Sequence, residues 1–536
     1  MLKNCLFVSL LLIVAISTAQ QEEYIFGQLV DATQNEPVAF ASIRLKDNAL
    51  GLISNSDGTF KIPLRYKSLG EVIEISSKGF ETKEILIDEF LEGRSNIVVL
   101  KPSAFELSEA IVSAKIKRMS ARQIVKIAVN SIPANYPQNT FSLAGYYRDF
   151  QVKNTKYFNV NEAILQVYDK GFVEPDNLEN EYQLFSYRKN LEFGNDSLAK
   201  QPYDYRGNNK VIPGAKMENT GGNELYMLYI HDAIRNYQTD TYSYINNMPS
   251  DYVNDHRFRL IGKTNYHNTV VYEIDSYYSN KDYFSNGKIF IDTNNFAILK
   301  LDYAVFKRKK TDLSFTIANP EERFSDGFKI SKKELIYHIK SEYSKTDSGK
   351  MFLNYISFYN KALVQRPAEF KSIFVLDLRA KVFAIRLNKT PVNVEKISKK
   401  DFTIRYEEKL LPIKKIAFLK SRNVFMVTPD FREIPTRSTL EYLFTKNDSL
   451  KIFNLSYSYR NIKDSLGDKL DDSKREYVHQ YREFFTQEVF PNISITPTRD
   501  SLMMKNLPLE SSEQPICYAC NTSNYWMNTP LQNIDE

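Results

Sequence analysis

Cysteine is scarce in this chain. Only Cys5, Cys517 and Cys520 occur among 536 residues. A disulfide-dense scaffold is excluded, and so is a cysteine-built zinc site, which needs a second close pair. Tryptophan occurs once. Histidine occurs five times, at His231, His256, His267, His338 and His479. No two of them stand at metal-ligand spacing, and each is expected on the surface or satisfied in a core. His231 and Asp232 are neighbours in sequence, which does not by itself build a triad. There is no G-x-S-x-G, no H-E-x-x-H and no phosphate loop. No catalytic, cofactor-binding or metal-binding residue is therefore expected. After the first residues, no apolar run approaches the roughly 18 residues that a membrane helix needs.

A strong excess of one charge is also missing. Lys and Arg number 71 against 65 Asp and Glu, a net charge of +6 with the signs interspersed. That balance argues against nucleic acid as a partner. Glu321-Glu322 and Glu407-Glu408 read as solvated faces. Carboxylates that cleave glycans meet only in three dimensions, so sequence alone leaves such an enzyme open as an alternative.

Aromatics are what the chain has in quantity, with 35 Tyr and 35 Phe. They favour pleated surfaces, so a mostly β fold is expected. At 43% hydrophobic and 25% charged the chain is globular, and it is long enough for several domains. Lys3, the apolar run 6–16 and the small residues Ser17-Thr-Ala19 predict a signal peptide over 1–19, cleaved before Gln20. The mature chain is then exported, to the periplasm or the outer membrane. Cys517-Tyr-Ala-Cys520 reads as a local disulfide or an incidental pair.

Residues 24–101 carry the densest pattern. Ala41, Ile43 and Leu45 alternate with polar neighbours, as Phe60 and Ile62 do after a turn. Asn55-Ser-Asp57-Gly58 is turn chemistry, and Glu36-Pro37 marks a loop before a strand. Short strands at this spacing predict a sandwich of roughly seven strands. The combination of Gly27, Asp31, Pro37-Val38, Asp57-Gly58-x-Phe60 and Gly79-Phe80 resembles the carboxypeptidase-regulatory-like domain, a transthyretin-like sandwich. Leu100-Lys-Pro-Ser followed by Leu107-Ser-Glu109-Ala-Ile-Val-Ser-Ala114 is similar to the segment that joins this domain to the next module in Bacteroidetes outer-membrane proteins. The resemblance implies a structural role for those seven residues and a non-catalytic module. Despite the family's name, it implies no peptidase.

Residues 102–119 read as a linker. A larger antiparallel β domain with a few helices is expected over 120–490. Ser120 and Gln123 predict a capping box on a helix over 120–132, ended by Pro133. A second helix is expected over 224–237. A third is expected over 473–490, from Ser473 and Glu476 with Tyr477, Tyr481, Phe484, Phe485 and Val489 at helical spacing. Residues 491–536 read as an extended tail. Between the helices, 258–274 and 287–303 predict hairpins, with strands over 328–343, 351–363 and 372–387. The polar content of 390–475 argues against a transmembrane barrel.

The phrases 131–149 and 161–168 resemble exported Bacteroidetes proteins in which such a sandwich precedes a large β domain. Gly287-Lys-Ile-Phe-Ile-Asp292 is similar to the curved sheet of lipoprotein carriers. Together these readings imply an exported, non-catalytic interaction or assembly module with an envelope protein as partner. A hydrophobic-ligand or lipid carrier is the alternative, and a glycan-acting enzyme the second.

Overall fold

Where the chain alternates, it pleats. In the computed structural model Ala41, Ile43, Leu45, Phe60 and Ile62 are all buried in one core. The structure describes residues 23–46, 50–55, 57–103, 119–174, 179–215, 221–239, 247–266, 269–308, 335–377, 379–406, 409–430, 455–493, 497–525 and 531. The signal peptide and most of the linker lie outside these residues.

The described residues divide into two compact units, one of residues 1–363 with 477–536 and one of 364–476. The first unit begins with the sandwich. Its strands are β1 (Tyr24–Asp31), β2 (Ser42–Leu45), β3 (Gly51–Ile53), β4 (Thr59–Pro63), β5 (Val72–Ser76), β6 (Lys83–Leu86) and β7 (Ser95–Leu100). They form the sheets β4-β1-β7 and β3-β2-β5-β6, with β1 and β7 parallel. Gly27 on β1 faces Phe60 on β4. A Cβ at Gly27 would come 2.2 Å from the Phe60 ring, so the ring packs where a side chain would stand.

The larger sheet follows. It is built from β8 (Phe141–Lys153), β9 (Lys156–Asp169), β10 (Glu181–Lys189), β11 (Lys210–Val211), β12 (Arg257–Tyr266), β13 (Thr269–Ser279), β14 (Tyr283–Asp292), β15 (Ile298–Lys307), β16 (Leu335–Lys345) and β17 (Met351–Arg366). The second unit carries β18 (Ser372–Asp377), β19 (Val382–Leu387), β20 (Phe402–Tyr406), β21 (Lys409–Leu410), β22 (Ile413–Leu419), β23 (Val424–Pro429) and β24 (Leu455–Tyr459). The chain then re-enters the large sheet as β25 (Lys474–Phe490). The order is β10-β9-β8-β25-β17-β16-β15-β14-β13-β12, with β11 beside β17.

Three expectations need correction. Residues 473–490 are not a helix but the central strand β25. Arg482 to Gln487 are buried without interruption, because both faces of this strand are covered. A strand buried on both sides loses its alternation, and its aromatics can then match a helical spacing. The region 120–490 is not one domain, because 364–476 form a separate core around Phe383, Ile385, Phe402 and Phe425. The segment after 491 is not a free extended tail. Met503 N donates to Tyr182 O, Cys517 N to Leu184 O and Asn223 N to Lys505 O, at 2.7–2.8 Å.

The helix Ala121–Asn130 has the capping box of Ser120 and Gln123. The second helix is shorter than expected and spans Glu224–Ile230. Asp232 Oδ1 accepts from Ile234 N and Arg235 N, and this local turn competes with further helix. The hairpins β12–β13 and β14–β15 form as the alternation predicts.

Candidate functional site

Alternation along β8 sends Tyr147, Asp149 and Gln151 to one face of the large sheet and Tyr146 and Arg148 to the other. Across the register, Asp149 meets Asn161 on β9 and Arg482 on β25, while Arg148 meets Glu162 and Glu483. Each face therefore receives its own set of charges.

The first face is covered by the segment that carries Tyr203, Lys210 and Glu224. Arg482 is 1% exposed. Its Nε donates to Glu224 Oε2 at 2.5 Å, Nη1 to Asn360 Oδ1 at 2.6 Å and Nη2 to Tyr203 OH at 2.5 Å. Lys210 Nζ donates to Ala199 O at 2.5 Å and pairs with the other Glu224 oxygen. Burial pushes the Lys210 pKa down, against the pull of Glu224. Asp149 accepts from Asn161 Nδ2 at 3.0 Å. Burial, and then the Glu224 charge, push its carboxyl up to about 7.

Beside Asp149 lies a cavity of about 10 Å³, lined by Gln151, Asn159, Asn161, Glu224 and the segment Pro508–Glu510. An ion pair between Lys200 and Glu510 spans two of its lining residues. A carboxyl that titrates near neutrality can exchange a proton with a water. The hole, however, has the volume of about one water and no room for a sugar ring.

The second face carries rows of ion pairs. Arg148 Nε and Nη2 donate to Glu483 Oε2 at 3.1 and 2.5 Å, and Tyr355 OH donates to Glu483 Oε1 at 3.0 Å. Tyr146 OH donates to Glu162 Oε1 at 2.6 Å. Lys300 pairs with Glu342 at 2.6 Å, and His338 Nε2 meets Asp302 Oδ1 at 2.6 Å. The sandwich packs on this face. Lys78 pairs with Glu273 at 2.7 Å, and Lys340 Nζ lies 3.4 Å from the centre of the Phe40 ring. Ile53 joins a core with Tyr146, Tyr355 and Phe485, against which Phe40, Cys517 and Cys520 pack. Cys517 and Cys520 are joined in a disulfide.

The residues singled out in the sandwich sit in its turns and pairings. Asp31 Oδ1 accepts from Thr33 N at 2.6 Å and Thr33 Oγ1 at 2.7 Å. Asp57 Oδ1 accepts from Thr59 N at 3.0 Å and Thr59 Oγ1 at 2.6 Å, within its own turn. Pro37 bridges to Val30. Gly58 and Gly79 have φ of 73° and 79°, and a Cβ at Gly58 would come 2.5 Å from Leu29 O.

His231 and Asp232 are buried. His231 stacks on Phe358, and Asp232 accepts from Tyr343 OH at 2.7 Å and Ser341 OH at 3.2 Å. His256 Nε2 lies 2.8 Å from Tyr303 OH, and His479 Nδ1 lies 2.8 Å from Tyr359 OH. His267, Glu321-Glu322 and Glu407-Glu408 lie outside the described residues. Among the described residues, no group of three or more His, Cys, Asp and Glu is placed to hold a metal ion, and no helix is long and apolar enough to cross a membrane.

Sequence reasoning missed the network of Asp149, Lys210, Glu224 and Arg482. The signal was there as Arg482-Glu483 in the middle of an aromatic run. A strand buried on both faces needs a partner for each of these charges.

Comparison with known proteins adds the following. Residues 25–112 match the family model of the CarboxypepD_reg-like domain. A domain of this kind is compatible with a non-catalytic module. No curated protein matches the chain. Similar solved structures include an outer-membrane lipoprotein-sorting protein domain from Vibrio parahaemolyticus, at 9% identity and TM-score 0.23 over 45% of this chain and 86% of that one. A LolA superfamily protein from Nitrosomonas europaea gives 10% identity and TM-score 0.18 over 45% and 86%. A DUF1329 family protein from Desulfovibrio piger gives 12% identity and TM-score 0.20 over 44% and 85%. Likenesses at these TM-scores carry no argument.

Proposed function

We propose that the chain is an exported, non-catalytic interaction module of the cell envelope, periplasmic or outer-membrane associated, which docks a protein partner through its regulatory-like sandwich. One observation supports this most. Among the described residues, the sandwich packs one sheet within its own unit and exposes apolar side chains on the other. Arg44 on β2 is half-buried and feels the charge of Glu342, and Ile53 on β3 packs against Tyr146 and Phe485. On the opposite sheet Phe26, Ile97 and Val99 are 46%, 66% and 42% exposed. The register places Phe26 beside Lys61, Ile97 beside Gln28 and Val99 beside Val30. An apolar row on an open sheet face is a common docking surface.

The test compares pull-downs from an envelope extract with the mature chain and with a Phe26→Ser, Ile97→Ser, Val99→Thr variant. A specific partner is expected with the mature chain, and the variant is expected to bind it at least about 30-fold more weakly. Equal recovery with both chains, or no partner with either, would sink the reading. The cavity at Asp149 is polar and water-sized, so it does not itself suit a lipid or a sugar. A lipid-sized mass retained on residues 20–536 in native mass spectrometry would turn the reading towards a carrier.

A further inference from the structure

Unit 364–476 holds 24 Lys and Arg against 15 Asp and Glu, a net +9 within a chain of net +6. The rest of the chain is slightly acidic. Some of these cations form ion pairs and others do not. Arg366, Lys389 and Lys474 pair with acidic residues of the unit. Arg386, Lys415, Lys420 and Arg422 are exposed and make no ion pair among the described residues.

The sheet β18-β19-β23-β22 gives these cations a setting. Its inner face is settled by the core, where Phe374, Ile385, Phe425 and Phe418 form one rung and Leu376, Phe383, Val427 and Ile416 the next. The residues between them point the other way. They form one rung of Ile373, Arg386, Val424 and Leu419, and another of Val375, Ala384, Met426 and Ala417. The outer face thus carries exposed Arg386 among apolar residues, of which Val424 and Ala384 at its centre are buried. Ile373 is 65% and Leu419 40% exposed. Lys415 continues the outer face along β22, and the turn Lys420–Arg422 follows Leu419 directly. The turn Lys399–Asp401 packs beside β22 and adds two more lysines.

Edge strands often carry lysine simply to discourage strand pairing. That accounts for Lys414. It does not account for Ile373 and Leu419, apolar side chains that stand exposed on the outer face of the two edge strands. Exposed Ile373 and Leu419 with Arg386 between them and Lys415, Lys420 and Arg422 beside them match the boundary of an anionic bilayer, where apolar side chains enter the headgroup layer and cations meet phosphate.

We infer that the outer face of β18-β19-β23-β22 is a docking surface for a membrane bearing anionic phospholipid. This goes beyond the sandwich's partner and does not depend on it. Flotation of the mature chain with vesicles of phosphatidylcholine, with and without phosphatidylglycerol, tests it. Binding is expected to the anionic vesicles and to weaken with salt. A Lys415→Gln, Lys420→Gln, Arg422→Gln variant is expected to bind on the order of 100-fold more weakly, from roughly fivefold per cation. Ile373→Ser with Leu419→Ser is expected to remove the part of binding that resists salt. A Lys153→Gln, Lys156→Gln control, in the exposed β8–β9 hairpin, is expected to bind like the parent. Failure to float with anionic vesicles would overturn the inference, even if the face then captured an acidic protein. So would an equal loss in the control, since charge alone would then explain binding. Circular dichroism of each variant separates lost binding from lost fold.

Discussion

Replacing Arg482 by methionine is expected to destabilise the first unit by about 3–5 kcal/mol, the usual cost of leaving a buried charge without its partner. Three donors of the guanidinium are engaged at once, by Glu224, Asn360 and Tyr203. Burial opposes the Arg482 charge, but Glu224 and Tyr203 raise its pKa, so it stays charged. In the variant Glu224 keeps only Lys210, itself fully buried and shifted towards neutrality. The pair also ties the covering segment to the central strand, so its loss loosens the cover and the sheet together. Urea unfolding followed by circular dichroism reads the effect as a fall in midpoint. Adding Glu224→Gln to Arg482→Met should cost less than the two single losses summed, because the change then removes both charges of the pair. The exposed pair Lys46–Glu84 is the control, and Lys46→Ala should cost less than about 1 kcal/mol. An Arg482→Met chain as stable as the parent would show that the network does not hold the cover in place.

Acidification is expected to unfold the same unit through two buried histidines. Burial pushes the pKa of His231 and of His256 down to about 3. Both therefore bind a proton in the unfolded chain before they do in the fold. Their contribution is fully present above about pH 6.5 and is lost as the pH falls towards 3, at about 2.7 kcal/mol per pH unit for the two together. Asp149 acts in the opposite sense. Its folded pKa of about 7 lies above the ordinary 3.8, so its contribution is present below that value and lost as the pH rises through 7. Between about pH 4 and 6.5 the loss from the two histidines on acidification is partly offset by Asp149 and by Asp232, whose carboxyl is also pushed up by burial.

Urea midpoints measured from neutral pH down to about pH 4 give this slope directly. His231→Asn and His256→Gln place an amide nitrogen near the contact atom of each ring, Nδ1 towards Met227 O and Nε2 towards Tyr303 OH. Together they should abolish the loss on acidification and leave the opposite slope from Asp149 and Asp232. A double variant with the parent's slope would mean that other groups drive acid unfolding.

Much of the fold was legible because it rests on local chemistry. Ser120 and Gln123 announce their helix by closing a capping box. Gly27 and Phe60 belong to one another across a single strand pair. The hairpins of 257–307 follow from alternation and turn residues. The failures share a cause. Tyr481, Phe484, Phe485 and Val489 fit a helical face only because β25 is covered on both sides, and no local signal records what covers a strand. The insertion of 364–476 was hidden for a similar reason, since a second β core reads like a continuation of the first.

The sequence by itself determined the β character, the sandwich with its turn residues and the first helix, because these depend on neighbours a few residues apart. Tertiary structure decided the rest. It set Arg482 against Glu224 across 258 positions, and Arg148 against Glu483 across 335. It laid the sandwich on one face of the sheet and gathered Ile373, Arg386, Val424 and Leu419 into one rung. Such groupings come from the register of strands distant in sequence. A residue's partners there are chosen by the whole fold and not by its neighbours.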